Sequence, residues 1–386
     1  MTYQGIAAFV ATLLTFSSMP ASAQALEPTG EPPAAKGWKR ETVVDGLPQP
    51  WAMAWLADGR MLVTGKKGTL HLVDGKRVQD IALEGLPALF TGGQGGLLDI
   101  AVHPADKGPN PRIYMTMAGG TEDANRTVLV RGVFDGKRVH GIKTLFTASP
   151  SKSGGQHFGS RIVFLKDGTL LMSIGDGGNP PARVGHMLAR EQAQNLKSHN
   201  GSILHLTAEG KPAPGNPLAG QQGALPELWS IGHRNIQGMA VDPQGRVWAS
   251  EHGPRGGDEI NLIEGGNNYG WPLQSYGLDY KTREPVGRRV VPGMVQPVLA
   301  WTPSTGASGL TWYTGSAFPA WRGSLFSGGL ATEDIRRVAF DAQGRVAAQE
   351  RLDIGKRVRD VRQGPDGHLY AITDEKRGRL LRIVPQ

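Results

Sequence analysis

The chain has no cysteine, so no disulfide stabilises it and no thiolate can act as nucleophile or metal ligand. It also has no basic run. Lys and Arg exceed Asp and Glu by 42 to 34, a net charge of +8. The cations are nonetheless scattered, and the densest patches, Arg288-Arg289, Arg336-Arg337 and Lys356–Arg362, are short. A nucleic-acid binder shows a basic stripe or cluster, which argues against that class; the surplus reads either as a solvated basic surface or as attraction for an acidic ligand or anionic partner. Long apolar segments are missing as well. The one such run, Ile6–Phe16, is too short to span a bilayer comfortably, which argues against stable membrane insertion. It is followed by Ser17-Ser18-Met19-Pro20 and the A-x-A triplet Ala21-Ser22-Ala23, although Met1–Gly5 carries no Lys or Arg. Residues 1–23 are therefore expected to be a cleaved signal peptide directing the protein to the periplasm, and the Pro-rich residues 24–36 a flexible leader. Helical periodicity is almost absent: only His186–Leu196 reads as a short surface helix.

Turns and alternation are abundant. The 55 glycines and 27 prolines are spread through the chain rather than clustered, and 39% hydrophobic residues suffice for a packed core. One submotif, an apolar segment, a tight turn and an alternating strand, recurs at Trp51–Thr64, Leu97–Thr116, Ser160–Ile174, Gly238–Ser250, Gly309–Ser327 and Val358–Thr373. A second follows most copies, at Thr69–Val78, Val128–Val139, Ile203–Lys211, Ile335–Val346 and Arg379–Val384, with Asn261–Ile263 a weak fourth. D-G and Q-G pairs between apolar runs are hairpin signals. Two hairpins per unit, repeated along the chain, predict an all-β fold: a six-bladed β-propeller with four-stranded antiparallel blades, spanning residues 37–386 as a single domain.

Several polar clusters sit at the ends of these strands, as parts of one site on a rigid scaffold would. His157 follows the loop Ser153-Gly154-Gly155-Gln156, where a neutral imidazole can take a proton from a hydroxyl. Asp176, in GDGG, could orient it, and equally fits a plain turn residue. Arg234 and Asn235 offer a permanent charge and an amide; a surface ion pair is the bland alternative. Arg357 and Arg359 alternate on one strand and share a face, where they repel unless an anion lies between them. Gln94 stands among glycines that permit close backbone approach. Gly253, Pro254, Asp258 and Glu259 form a carboxylate-bearing Gly-Pro loop suited to a hard cation such as calcium.

In order, the stretches GGQGGLLDIAVHP, HFGSRIVF, SIGDGG, GHRNIQGM, SEHGPRGGDEINLIEGGNNYGWP and KRVRDVRQGPDGHLYAITDE resemble the soluble quinoprotein glucose/sorbosone dehydrogenases, nearest to the periplasmic aldose sugar dehydrogenases. The resemblance implies pyrroloquinoline quinone (PQQ) and Ca2+ as cofactors and oxidation of an aldose at its anomeric carbon to a lactone. It implies His157 as base, Asp176 as its support, and Arg234 as stabiliser of the quinone oxygen that gains charge as hydride reaches the C5 carbonyl. Gln94, Asn235, Arg357 and Arg359 would hold the cofactor. The carbonyls of Gly253 and Pro254 would bind the cofactor's calcium, with Asp258 nearby. Glu259 and the backbone of Tyr269, with Asp279, would hold a second calcium. The expected partners are a small aldose and an electron acceptor, for a monomer or weak dimer. In one departure, the stretch SGGLATED places Ala331 where the family's glucose dehydrogenases carry a cofactor-contacting lysine. The loop Trp301–Gly309 is expected to shape the sugar pocket. The competing readings are a calcium lactonase, which would not need the paired arginines, and a non-catalytic binding propeller, which would leave His157, Asp176 and Arg234 unexplained.

Overall fold

The structure, a computed structural model, describes residues 25–386, so the expected signal peptide lies outside the described residues. Six antiparallel sheets follow one another along the chain. Blade one comprises Pro50–Trp55, Met61–Gly65, Thr69–Asp74 and Arg77–Asp80. Blade two runs from Leu97–Val102 to Arg138–Thr147, and a short parallel strand, Ala82–Leu83, extends its outer edge. Blades three, four and five begin at Ile162–Phe164, Ile236–Val241 and Ala307–Trp312. Blade six takes Val358–Gln363, Leu369–Thr373 and Arg377–Pro385 from the C-terminal end, and its outermost strand, Trp38–Pro48, from the N-terminal end. That antiparallel pairing closes the ring and covers the last sheet edge.

The burial patterns explain the sequence signal. Second strands such as Met61–Gly65 and Leu170–Ile174 are buried at every position because each sheet is covered on both faces by neighbouring blades. Six hydrophobic clusters result, one at each inter-blade interface. D-G turns close the hairpins: Gly168 has φ +83°, and the Asp167 carboxylate accepts from the Thr169 amide at 2.9 Å. Hydroxyls stitch the blades together. From second strands, Thr64 donates to the Leu98 carbonyl at 2.7 Å, Thr116 to Ser160 at 2.8 Å, and Ser250 to Ser308 at 2.7 Å, each reaching the start of the next blade. On the axis, Arg161 pairs with Asp99 and Asp360, and Arg362 pairs with the same two carboxylates.

The segment expected to be helical, His186–Leu196, instead forms half of a small hairpin, Arg183–Val184 with Met187–Leu188, and then a six-residue 3-10 turn, Ala189–Gln194. Polar Gln192 and Asn195 bond each other there at 2.9 Å. Within the expected leader, Leu26 bridges blade four at Leu299 and Ala34 bridges blade five at Arg351. No helix among the described residues is long and apolar enough to cross a membrane.

In each blade the first strand's start and the second strand's end lie on one rim, because the pair is antiparallel. His157, Arg234-Asn235 and Arg357 all lie just before first strands, whereas Lys66, Asp176, Gly253-Pro254 and Asp374 lie just after second strands. A single mouth of the central channel thus collects residues from almost the whole chain.

Candidate active site

His157 is held from three sides. Its Nδ1 lies 2.6 Å from Asp176 Oδ1, with both side chains buried. Its backbone amide donates to Gln94 Oε1 at 2.9 Å, and its φ is +49°. Such a left-handed turn is uncommon outside glycine, and here it presses the His157 carbonyl against Gly175, where a Cβ would stand only 2.1 Å away. Asp176 is itself anchored: Oδ1 accepts from the Gly178 amide at 2.8 Å and Oδ2 from Trp271 Nε1 at 2.7 Å. Burial, followed by the Arg234 charge, pushes the His157 pKa below its ordinary value, although Asp176 opposes this. Burial alone would raise Asp176, but His157 and Arg234 outweigh it and hold the carboxylate low. The pair is therefore a neutral imidazole and an ionised carboxylate. Nδ1–H points at Asp176, so the Nε2 lone pair is available to accept a proton.

Arg234 lies over the Trp271 ring at 5.2 Å and donates to the His252 carbonyl at 3.2 Å and Asn179 Oδ1 at 2.8 Å. Its amide donates to Glu251 Oε2 at 2.7 Å. The guanidinium forms no ion pair among the described residues. Asn235 Oδ1 accepts from the Gly159 amide at 3.1 Å.

Arg357 and Arg359 do have an anion between them. Asp374 Oδ2 accepts from Arg357 Nη2 at 3.1 Å and from Arg359 Nη2 at 3.2 Å. Burial alone would raise Asp374, but Arg359 and then Arg357 hold it below its ordinary value. Arg359 also reaches Gln237 Oε1 at 3.2 Å, and burial lowers its own pKa. A cavity lined by Trp51, Lys66, Gln94, His252, Arg359 and Asp374 joins these groups. Lys66, Arg234, Arg357 and Arg359 bring positive charge to this mouth; Asp374 serves the two blade-six arginines, Asp176 pairs with His157, and among the described residues neither Lys66 nor the Arg234 guanidinium has a carboxylate partner. Among the described residues four buried nitrogens of the site also lack any partner: Asn235 Nδ2, His252 Nε2, Arg234 Nε and Arg359 Nε. The amide and the two guanidinium nitrogens can only donate, and unpaired buried donors are costly and rare, so the residues present fit an anionic, acceptor-rich group.

The expected metal residues separate into two kinds. Asp258 Oδ1 accepts from the Gly253 amide at 2.9 Å, and Oδ2 from the Gly306 and Ala307 amides at 2.6 and 3.0 Å. It braces the Gly253-Pro254 turn with both oxygens already used, while the Pro254 carbonyl accepts from Tyr280 Oη at 3.0 Å. Glu259 lies in a small polar pocket with Glu251, Tyr269 and Gln274. Asn261 Nδ2 bridges Glu251 and Glu259 at 3.0 and 3.1 Å. Burial, then the Glu251 and Asp258 charges, drives the Glu259 pKa well upward. A nearby cation would relieve that repulsion. Among the described residues no three His, Cys, Asp or Glu converge on one metal, so backbone carbonyls would have to complete such a shell. Tyr269 is buried, with its hydroxyl bonded to the Leu262 carbonyl and the Glu264 amide. Asp279 does not join this pocket: it caps a surface turn at the Lys281 and Thr282 amides and lies 3.8 Å from Arg190.

Sequence reasoning did not single out Trp271, His252, Asn179, Asp374, Lys66 or Glu251. Trp271, His252 and Asp374 stand inside the motifs NNYGWP, SEHGP and AITDE, but nothing local distinguishes them.

A family model described as glucose/sorbosone dehydrogenase matches residues 47–382. The chain is 38% identical over 356 residues to the aldose sugar dehydrogenase YliI of Escherichia coli, covering 90% of this chain and 92% of that protein. It is 47% identical over 355 residues to an uncharacterised protein of Synechocystis, covering 89% and 86%. Among solved structures, the PQQ-bound aldose sugar dehydrogenase of Streptomyces coelicolor superposes with a TM-score of 0.72 at 29% identity, covering 91% of this chain and 99% of that one.

Proposed function

The chain belongs to the glucose/sorbosone dehydrogenase family, and from that premise we propose that it is a PQQ- and calcium-dependent dehydrogenase oxidising aldoses at the anomeric carbon to lactones in the periplasm. The observation that carries this reading is a pair of cations without carboxylate partners, Lys66 and Arg234, and four orphaned nitrogens beside a buried His–Asp pair. When bound, the quinone would supply a two-electron, hydride-accepting oxidant.

The chain's own residues do the rest. His157 Nε2 takes the anomeric hydroxyl proton, while Asp176 fixes the tautomer and stabilises the imidazolium that forms. Trp271 keeps Asp176 from rotating away. Arg234, aimed by the His252 carbonyl and Asn179, offers Nε to developing negative charge. Gln94 fixes the His157 backbone, and Asn235 Nδ2, Arg357 and Arg359 donate to the cofactor's acceptors. Asp258 holds the turn whose carbonyls, from Gly253 and Pro254, would face the cofactor's calcium. Glu259 and the Tyr269 backbone would serve the second ion, without Asp279, which lies outside their pocket.

A titration of the purified protein with PQQ in the presence of calcium, followed by visible absorption, tests the reading. Saturable binding at one site is expected; a lactonase or a scaffold propeller would bind no quinone.

A further inference from the structure

We propose that Lys66 is a binding residue for a carboxylate of the anionic cofactor, supplying from blade one the positive charge that blade five lacks at Ala331. The inference rests on the quinone reading above. Blade six carries Arg357 and Arg359; blade five flanks it on one side and blade one on the other. On the blade-five side Ala331 brings only a methyl, and its amide is used on the Thr305 carbonyl at 2.8 Å. The nearby cations there are committed: Arg336 pairs with Asp334 at 2.7 Å, and Arg337 binds Glu350.

On the blade-one side Lys66 lines the same cavity as Gln94, His252 and Arg359. Its backbone is fixed between blades: the amide donates to the Gln49 carbonyl and the carbonyl accepts from the Leu97 amide, both at 2.9 Å. The glycine run of blade two packs onto it, since a Cβ on Gly96 would stand 2.1 Å from the Lys66 carbonyl. Nζ donates to the Gly93 carbonyl. An ammonium has three donors, so the others remain for a ligand.

No carboxylate pairs with Lys66 among the described residues, and Asp374, whose negative charge acts on it, already serves two arginines. Burial, then the Arg359 charge, lowers the Lys66 pKa. A half-buried ammonium beside a guanidinium with no carboxylate of its own is unfavourable unless an anion arrives. A ligand with several carboxylates would meet Arg359 and Lys66 together.

Equilibrium binding of PQQ with calcium, read by tryptophan fluorescence without substrate, tests this. Lys66→Met should raise Kd by about tenfold or more, and Lys66→Arg should stay within about threefold of wild type. The melting temperatures of the quinone-free proteins should match. If Lys66→Met does not fold, Lys66→Gln, which retains a donor for the Gly93 carbonyl, takes its place with the same expectation. Unchanged affinity in the neutral variant, with wild type binding normally, overturns the role of Lys66 alone. A wild type that binds no quinone overturns both the quinone reading and this inference.

Discussion

The chemistry concentrates in one hydrogen bond, His157 Nδ1 to Asp176. Replacing His157 with Gln keeps a polar side chain but removes the base; quinone binding should persist while turnover falls about 10²-fold or more. Full activity would remove His157 from the mechanism. The direction of the His157 shift also fixes a pH profile. Protonation abolishes the base, so kcat/KM should fall on the acid side with an apparent pKa below the ordinary 6.5. Asp176 raises that pKa, so Asp176→Asn should move the acid limb to still lower pH while reducing turnover. A limb moving upward would contradict the assignment. At this scale the sequence was legible where a residue's type carried its role. His157, Arg234 and the paired arginines are chemically distinctive at strand ends. Trp271 and Asp374 were not, because their value lies in partners at sequence separations of 95 and 17 residues.

At the scale of elements, the strand-end loops turn a repeat into a site. Arg357 and Arg359 share a face as their spacing predicts, and the anion between them in the structure is Asp374, from the end of the next strand. Arg357→Ala should therefore weaken quinone reconstitution more than turnover at saturating PQQ, and an unchanged reconstitution curve would count against its role. Asp258 ties the blade-four turn to the loop entering blade five. Asp258→Ala leaves three amides unpaired, two of them buried, so unfolding free energy should drop by about 2–5 kcal/mol in a denaturant titration. The hairpins themselves were legible because D-G turns and buried second strands leave strong local patterns. The 3-10 turn at Ala189–Gln194 was not, since a polar, Gln-rich stretch has helical propensity and only its contacts shorten it.

For the whole molecule, closure is the feature the sequence concealed. Trp38–Pro48 is mostly exposed as the outermost strand, with burial only at Val44 and Leu47, so it lacks the apolar alternation that marks the other strands. It nevertheless pairs along nearly all of Arg377–Pro385 and joins the two ends of the chain. Deleting it should expose that edge and the blade six–blade one cluster, lowering the melting temperature and promoting association by size-exclusion chromatography. A truncated chain that remains monomeric with an unchanged melt would show that the ring does not depend on this strand.

The central claim is that this rim binds a quinone and a cation in order to oxidise an aldose. The most direct measurement is dye reduction by the purified protein over a panel of aldoses, with and without PQQ and calcium. The account predicts activity only when both are present, lost in His157→Gln. Dye reduction that needs neither, or none with both present and quinone bound, would contradict it.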